Sequence, residues 1–235
     1  MKLKKNYLLN IKNILLVLFI IFIIYLLSLL YLIYNNPIQN LMNEIKNKKI
    51  LIVGNGPSAL NKKRINLNNE YDIIIRINKK KYQKKYEKCI GSKTDIYVYN
   101  LISFFELNKN NINKKKIIIC NILCLLPFLN FFNIIYNFYY LNSLENKNTY
   151  IYYLNFFECS KITNNSFIYP TTGISLLYLL NKYNIKYDIM GFDSLMNKNI
   201  DYKHYDNSYA ENNHIHNFNN EYDYFQKNKK NVNII

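Results

Sequence analysis

Residues 50 to 59 read ILIVGNGPSA, four β-branched or aliphatic residues that stop at Gly54. An apolar run this short, bounded by lysines and a glycine, is too brief for a helix and reads as a buried strand. The pattern returns as YDIIIRI at 71–77, KTDIYVYN at 93–100, KKIIIC at 115–120 and TYIYYL at 149–154. PTTGISLLYLLNKY then places apolar residues at 174, 176, 177, 179, 180 and 183. That spacing predicts a helix capped by Thr171 or Thr172. YDIMGF at 187–192 is one more strand. Strands alternating with helices predict an α/β fold with a mostly parallel sheet. The stretch 122–148, rich in Phe, Tyr and Asn, reads ambiguously, and no linker divides residues 45–235.

The turn after the first strand raises a sharper question. Gly54-Asn55-Gly56-Pro57-Ser58-Ala59 has the spacing G-x-G-x-x-A, the phosphate-cradling fingerprint of NAD- and FAD-binding folds. An oxidoreductase of that kind also needs an acid at the end of the second strand to hold the ribose hydroxyls. Asp72 begins that strand instead, and the residue just past its end is Asn78. Pro57 removes one backbone donor from the turn. What survives is a nucleotide of some kind on a glycine turn leading toward a helix N-terminus, where free amides attract phosphate. Asn55 and Asn78, each offering a donor and an acceptor, would face one crevice at the carboxyl edge of the sheet.

The chain carries a formal charge of +16, from 31 Lys and Arg against 15 Asp and Glu. Nucleic-acid binding does not follow. Arg occurs only at 64 and 76, and it is the planar guanidinium that grips phosphate in two places. Residues 14–34 are 21 positions without a charge, about 30 Å as a helix and one hydrocarbon thickness. Lys2, Lys4, Lys5 and Lys12 precede them, and no small-x-small cleavage site follows. The expectation is an uncleaved signal-anchor in a single-pass type II membrane protein. Its cytoplasmic tail is 1–13, its transmembrane helix 14–34, its polar stem 35–48 and its lumenal domain 49–235. Cys89, Cys120, Cys124 and Cys159 allow three disulfide connectivities or buried free thiols. The sequon at Asn164-Asn165-Ser166 fits a lumenal location.

The same segments resemble the large sialylmotif of glycosyltransferase family 29, the eukaryotic-type sialyltransferases. Its pieces here are Val53-Gly54-Asn55, the span from Asp72 to Asn78, and Gly91-Ser92-Lys93-Thr94. Pro170 to Gly173 and Gly191-Phe192 resemble the small motif, His204-Tyr205-Asp206 the third, and His216 with Glu221 the very small motif, H-x4-E. The GNGPS wording is also similar to the bacterial sialyltransferases of family 42. The staple that pairs a Cys of the large motif with one of the small motif in many animal members is absent. Ile50 stands near the large-motif place and 170–193 contains no Cys.

The resemblance implies a Rossmann-like, A-type glycosyltransferase fold behind an N-terminal transmembrane helix, in the Golgi or secretory-pathway membrane. It implies inverting transfer of sialic acid from CMP-sialic acid to a glycan hydroxyl. His216 would be the general base, His204 would hydrogen-bond the donor phosphate, and Glu221 would hold its helix or orient a neighbour. Asn55, Gly56, Ser58 and Asn78 would bind CMP, with Thr171, Thr172, Gly173, Gly191 and Phe192 completing the donor site. Read from the residues, His204, His214 and His216 are the only three histidines, all within 13 residues, and His accepts protons near neutral pH. His214 is a rival base. No Asp-x-Asp pair occurs, so neither a metal nor another cofactor is expected on a donor with one phosphate. Other CMP-sugars, such as a keto-deoxy acid, or a glycan-binding protein without turnover, remain alternatives.

Overall fold

The structure is a computed structural model and describes residues 38–64, 66–78, 84–100, 115–120, 148–154, 156–164, 169–198 and 216–235, with positions 13, 15–17, 19–23 and 27. Met1–Pro37 and Ile38–Ile235 form two separate units. In the first, the described positions of the apolar run are helical and expose Leu15, Phe19 and Leu27. Among the described residues no helix is long and apolar enough to cross a membrane, and the other positions of the expected 14–34 span lie outside them.

The described residues of the second unit hold seven strands: β1 (Ile50–Val53), β2 (Ile73–Ile77), β3 (Ile96–Asn100), β4 (Lys115–Cys120), β5 (Thr149–Tyr153), β6 (Tyr187–Met190) and β7 (Val232–Ile234). They lie in the order β5-β4-β3-β2-β1-β6-β7, and every neighbouring pair is parallel. A parallel sheet covered on both faces is buried on both faces, which is why its strands read as unbroken apolar runs. All four residues of β1 are buried, each at most 2% exposed. The chain builds outward from β1 to β5 and then returns to the other flank of β1 for β6 and β7. The order therefore reverses between β1 and β6, the place where open α/β sheets bind ligands.

Among the described residues of this unit, the helices of eight or more residues are α1 (Ile38–Ile45), α2 (Phe156–Thr163), α3 (Thr172–Lys182) and α4 (Phe218–Asn228). The first corrects an expectation. The polar stem of 35–48 contains a helix whose Ile38, Leu41, Met42 and Ile45 are buried in the main core. Those positions are i, i+3, i+4 and i+7, one face of a helix. An eight-residue helix does not hold alone, so this face is what forms it. Each buried side chain contributes about 1.5–3 kcal/mol. The core unit thus begins at Ile38, not at residue 49. Helix α3 runs as the periodicity predicts, with Thr171 as its cap: Thr171 Oγ1 accepts from the Ile174 amide at 3.4 Å. Helix α4 and strand β7 were not foreseen beyond the suggestion that Glu221 sits on a helix. The cysteines divide in their behaviour. Cys89 is a free thiol, whereas buried Cys159 is disulfide-bonded to a partner outside the described side chains.

Much of the large motif braces the sheet. Asp72 Oδ2 accepts from the Lys49 amide at 2.8 Å, at the amino edge of β1 and β2. Lys93 Nζ donates to the carbonyls of Tyr71 and Asp72 there, and Asp95 Oδ2 accepts from the Ile74 amide. Arg76 reaches out of β2 to donate to the carbonyls of Ile90, Gly91 and Lys93 and to Thr94 Oγ1. One guanidinium thereby gathers the whole Gly91–Thr94 loop, a task its five fixed donors suit.

Candidate functional site

The site forms at the carboxyl edge of the sheet, where the turns after β1 and β6 and the start of α3 converge. The β1 turn is held against the β6 turn by two backbone bonds. Gly54 N donates to Met190 O at 2.9 Å and Gly56 N to Gly191 O at 2.8 Å. This closeness explains the glycines. A Cβ on Gly54 would lie 2.3 Å from Gly191 O, and one on Gly56 would lie 2.3 Å from an Asp193 oxygen. Gly191 itself has φ +71, a conformation glycine adopts without strain.

Most amides of this turn are spent, and only that of Asn55 has no partner among the described residues. Besides those of Gly54 and Gly56, Ser58 N donates to Asp193 Oδ2 at 3.1 Å, Ala59 N donates to Gly56 O, and Pro57 has none. The expectation that the Gly54–Ser58 amides carry a phosphate narrows to the amide of Asn55: the β6 turn and a carboxylate occupy those of Gly54, Gly56 and Ser58. Asp72, the one residue at the right count for a ribose acid, points its carboxylate to the opposite edge. The acid half of the dinucleotide fingerprint fails in the structure, and the glycine half keeps a single amide.

The start of α3 is different. Its cap, Thr171, is tied down from three sides. Thr171 N donates to Glu221 Oε1 and Thr171 Oγ1 to Glu221 Oε2, each at 2.7 Å, and Thr171 O accepts from Ser175. The next two amides, of Thr172 and Gly173, have no partner among the described residues. These are helix N-terminal donors of the kind that binds anions. Thr172 Oγ1 accepts from Asn78 Nδ2 at 3.2 Å, and Asn78 Oδ1 accepts from the Asn100 amide. Asn78 has φ +40, a conformation Asn tolerates, and it pins the ends of β2 and β3 to the helix. Both ends of its side chain are thus committed to protein. Asn55 spends its Nδ2 on Ile77 O at 3.2 Å, and its Oδ1 has no partner among the described residues.

Phe192 joins the two regions. Cβ atoms on Gly54 and on Gly173 would each lie 3.1 Å from its ring, which is buried. The ring forms the floor between the β1 turn and the helix start rather than an open stacking face.

His216 and Glu221 approach from the segment that opens α4. Asn217 caps this helix by accepting from the Asn220 amide at 3.1 Å. Glu221 lies in the first turn, fully buried, and burial lifts its carboxyl to about 7 against the pull of its two bonds to Thr171. His216 Nδ1 lies 2.8 Å from Tyr169 O. A carbonyl only accepts, so Nδ1 carries the proton and Nε2 keeps its lone pair. Burial pulls the imidazole below its usual value, and the bond to Tyr169 opposes this more weakly. Two rungs, His216 to Tyr169 and Glu221 to Thr171, therefore lock the very small motif onto the residues just ahead of α3. His204 and His214 lie outside the described residues.

The structure thus brings together Asn55, Gly56, Ser58, Asn78, Thr171, Thr172, Gly173, Gly191, Phe192, His216 and Glu221 along one edge. Sequence reasoning passed over Asp193 and the carbonyl of Tyr169. The first is one residue past a noted pair, and the second is a backbone atom that no motif displays. Among the described residues no three His, Cys, Asp or Glu side chains group as metal ligands.

The sequence model of glycosyltransferase family 29 (sialyltransferase) matches residues 26–125. The chain resembles that family. The match contains β1, its turn, β2 and the Arg76 loop. A mammalian sialyltransferase crystal structure is similar over 80% of this chain and 68% of its own, with 16% identity and a TM-score of 0.51. A mammalian sialyltransferase in complex with Gal-beta-1-3GalNAc-ortho-nitrophenol matches over 80% and 69%, with 17% identity and a TM-score of 0.50. Likeness at these identities speaks for the α/β fold. No curated protein sequence matches the chain.

Proposed function

We propose that this protein is a sialyltransferase-like enzyme that moves sialic acid, or a related keto-deoxy sugar acid, from its CMP donor to a glycan hydroxyl. The observation that carries the reading is His216. Its Nδ1 proton is held by Tyr169 O, its Nε2 is an unprotonated acceptor, and it stands beside a helix start with two open amides. Base and anion seat are the two groups such a transfer requires.

The steps follow from those atoms. Nε2 of His216 takes the proton of the acceptor hydroxyl. The hydroxyl oxygen attacks the anomeric carbon as the bond from that carbon to the phosphate oxygen breaks, and CMP leaves with the electron pair. Attack opposite the leaving group inverts the centre. The amides of Thr172 and Gly173, at the positive end of α3, stabilise the charge gathering on the departing phosphate. Asn55 Oδ1 takes a hydrogen bond from the nucleotide. A single phosphate needs less counter-charge than a diphosphate, which suits a site built without Asp-x-Asp. Transfer should therefore survive chelation by EDTA. The apolar run at 14–34 serves as the signal-anchor that places the domain in the secretory lumen, where glycan acceptors are found.

The test is exchange of His216 for Ala in the full chain. Transfer from CMP-sialic acid should fall to background, while CMP still raises the melting temperature by mass action on the native state. Full activity in that variant would remove the base assignment. With wild-type protein, kcat/KM should hold as pH falls to about 6.5 and drop only below it, because burial lowers the imidazole pKa.

A further inference from the structure

We infer that Asp193 reads the ribose of the donor nucleotide, as an acid supplied by the turn after β6 rather than by the end of β2. The inference rests on the proposed CMP-donor function and deepens it by assigning the nucleoside half of the site.

Asp193 opens a single helical turn, Asp193–Met196, directly after the Gly191-Phe192 pair. One carboxylate oxygen, Oδ2, is anchored by Ser58 N at 3.1 Å. Gly56 makes this approach possible, since a Cβ there would lie 2.3 Å from Oδ2 and 2.7 Å from Asp193 Cγ. The other oxygen, Oδ1, has no partner among the described residues, and the side chain is half-exposed. Nothing in the folding of the turn requires that second oxygen. It stands at the carboxyl edge, at the switch between β1 and β6, beside Asn55 and Gly56.

Charge decides what it can bind. A carboxylate on the turn repels phosphate, and three of the four amides that would have compensated, those of Gly54, Gly56 and Ser58, are already bonded to protein. The phosphate is therefore directed to the open amides of Thr172 and Gly173, across the ring of Phe192. The nucleoside half is left to face Asp193, and a carboxylate accepts strongly only from O–H or N–H donors. The vicinal ribose hydroxyls supply two such donors. The same need is met in dinucleotide folds by an acid at the end of β2. Here that position is Asn78, whose side chain is committed to Thr172 and Asn100.

The experiment compares two probes, CMP and 2′,3′-dideoxy-CMP, binding to the full-length protein and to its Asp193→Asn variant. Asn keeps an oxygen for Ser58 N, so the turn is preserved, and the melting temperature of the unliganded variant monitors this. Loss of negative charge shifts both affinities together, so the ratio of the two Kd values is the readout. Wild-type protein should favour CMP by about tenfold or more, the worth of a hydrogen bond to a charged group. In the variant the preference should shrink to about twofold. CMP binding with an unchanged preference in the variant overturns the assignment of Asp193 and leaves the donor function standing. Failure of wild-type protein to bind CMP at all overturns both. UMP binding serves as the third arm: a variant that stops distinguishing CMP from UMP while still requiring the hydroxyls shows that Asp193 reads the base amine, and overturns the ribose assignment.

Discussion

The turn after β1 and the start of α3 both offered themselves as phosphate seats, and they behave in opposite ways. The turn has the glycine spacing, yet three of its four amides are bonded to Met190, Gly191 and Asp193. The helix start has one glycine and a conventional cap, yet the amides of its first two residues have no partner among the described residues. The difference lies in what sits above each. The β1 turn is zipped to its neighbouring strand's turn, whereas α3 is held by its cap from the side, through Glu221, which leaves the end of the helix open. Glycines at such a turn are evidence of close backbone approach, and what approaches can be the protein itself.

The comparison breaks most visibly at Gly54. Gly54→Ala would place a Cβ 2.3 Å from the backbone oxygen of Gly191, and backbone cannot swing aside. The expected loss is roughly 3 kcal/mol or more of unfolding free energy in denaturant titration. A glycine needed only for a phosphate would instead cost ligand affinity and little stability.

On the helix side, Glu221 gives the next largest effect. Its folded carboxyl stands at about 7, above the ordinary carboxylate value. The folded state therefore binds the proton more tightly than the unfolded one. Stability conferred by this group is fully present below about 4.5 and is lost as pH rises to about 7, after which it is flat. The span corresponds to about 3 kcal/mol. Glu221→Gln keeps an acceptor for the Thr171 amide and should erase that slope in melting curves taken from pH 4 to 8. Glu221→Ala should lower stability at every pH, since it orphans buried donors on Thr171.

A smaller and more pointed pair concerns Thr172. Thr171 has φ −63 and ψ 157, which a following proline accepts, and Pro fits the first helical position without breaking a helix bond. Thr172→Pro and Thr172→Val both lose the bond from Asn78, about 1 kcal/mol. Only the proline also removes the open amide, so it should bind CMP about tenfold more weakly than the valine variant in calorimetry. Equal affinities would mean the phosphate does not sit there. The smallest effect is expected far from both regions. Lys198 and Asp223 pair at 2.7 Å with both side chains nearly half exposed, and Asp223→Ala should change stability by about 0.5 kcal/mol or less.

The sheet was legible because parallel strands buried on both faces must be apolar throughout, and Ile-rich runs of four to six residues admit few other readings. The α3 helix was legible because Thr171, Gly173 and the apolar period coincide. Helix α1 was not, because Ile38, Leu41, Met42 and Ile45 are scattered among Gln, Asn and Glu, and eight such residues hold a helix only when a core receives them. Of the candidate site, the residue types and their order along the chain were readable. Their hydrogen-bond states were not.

By itself, the sequence determined the parallel α/β sheet and the capped helix, since each depends on local pattern and on few alternatives. Only the tertiary structure decided which amides are free, which tautomer His216 holds and where Asp193 points. Those depend on contacts such as Ser58 with Asp193, 135 residues apart, and Thr171 with Glu221, 50 apart. A hydrogen bond formed inside the protein withdraws that donor from any ligand, and no local stretch of sequence records with whom it was made.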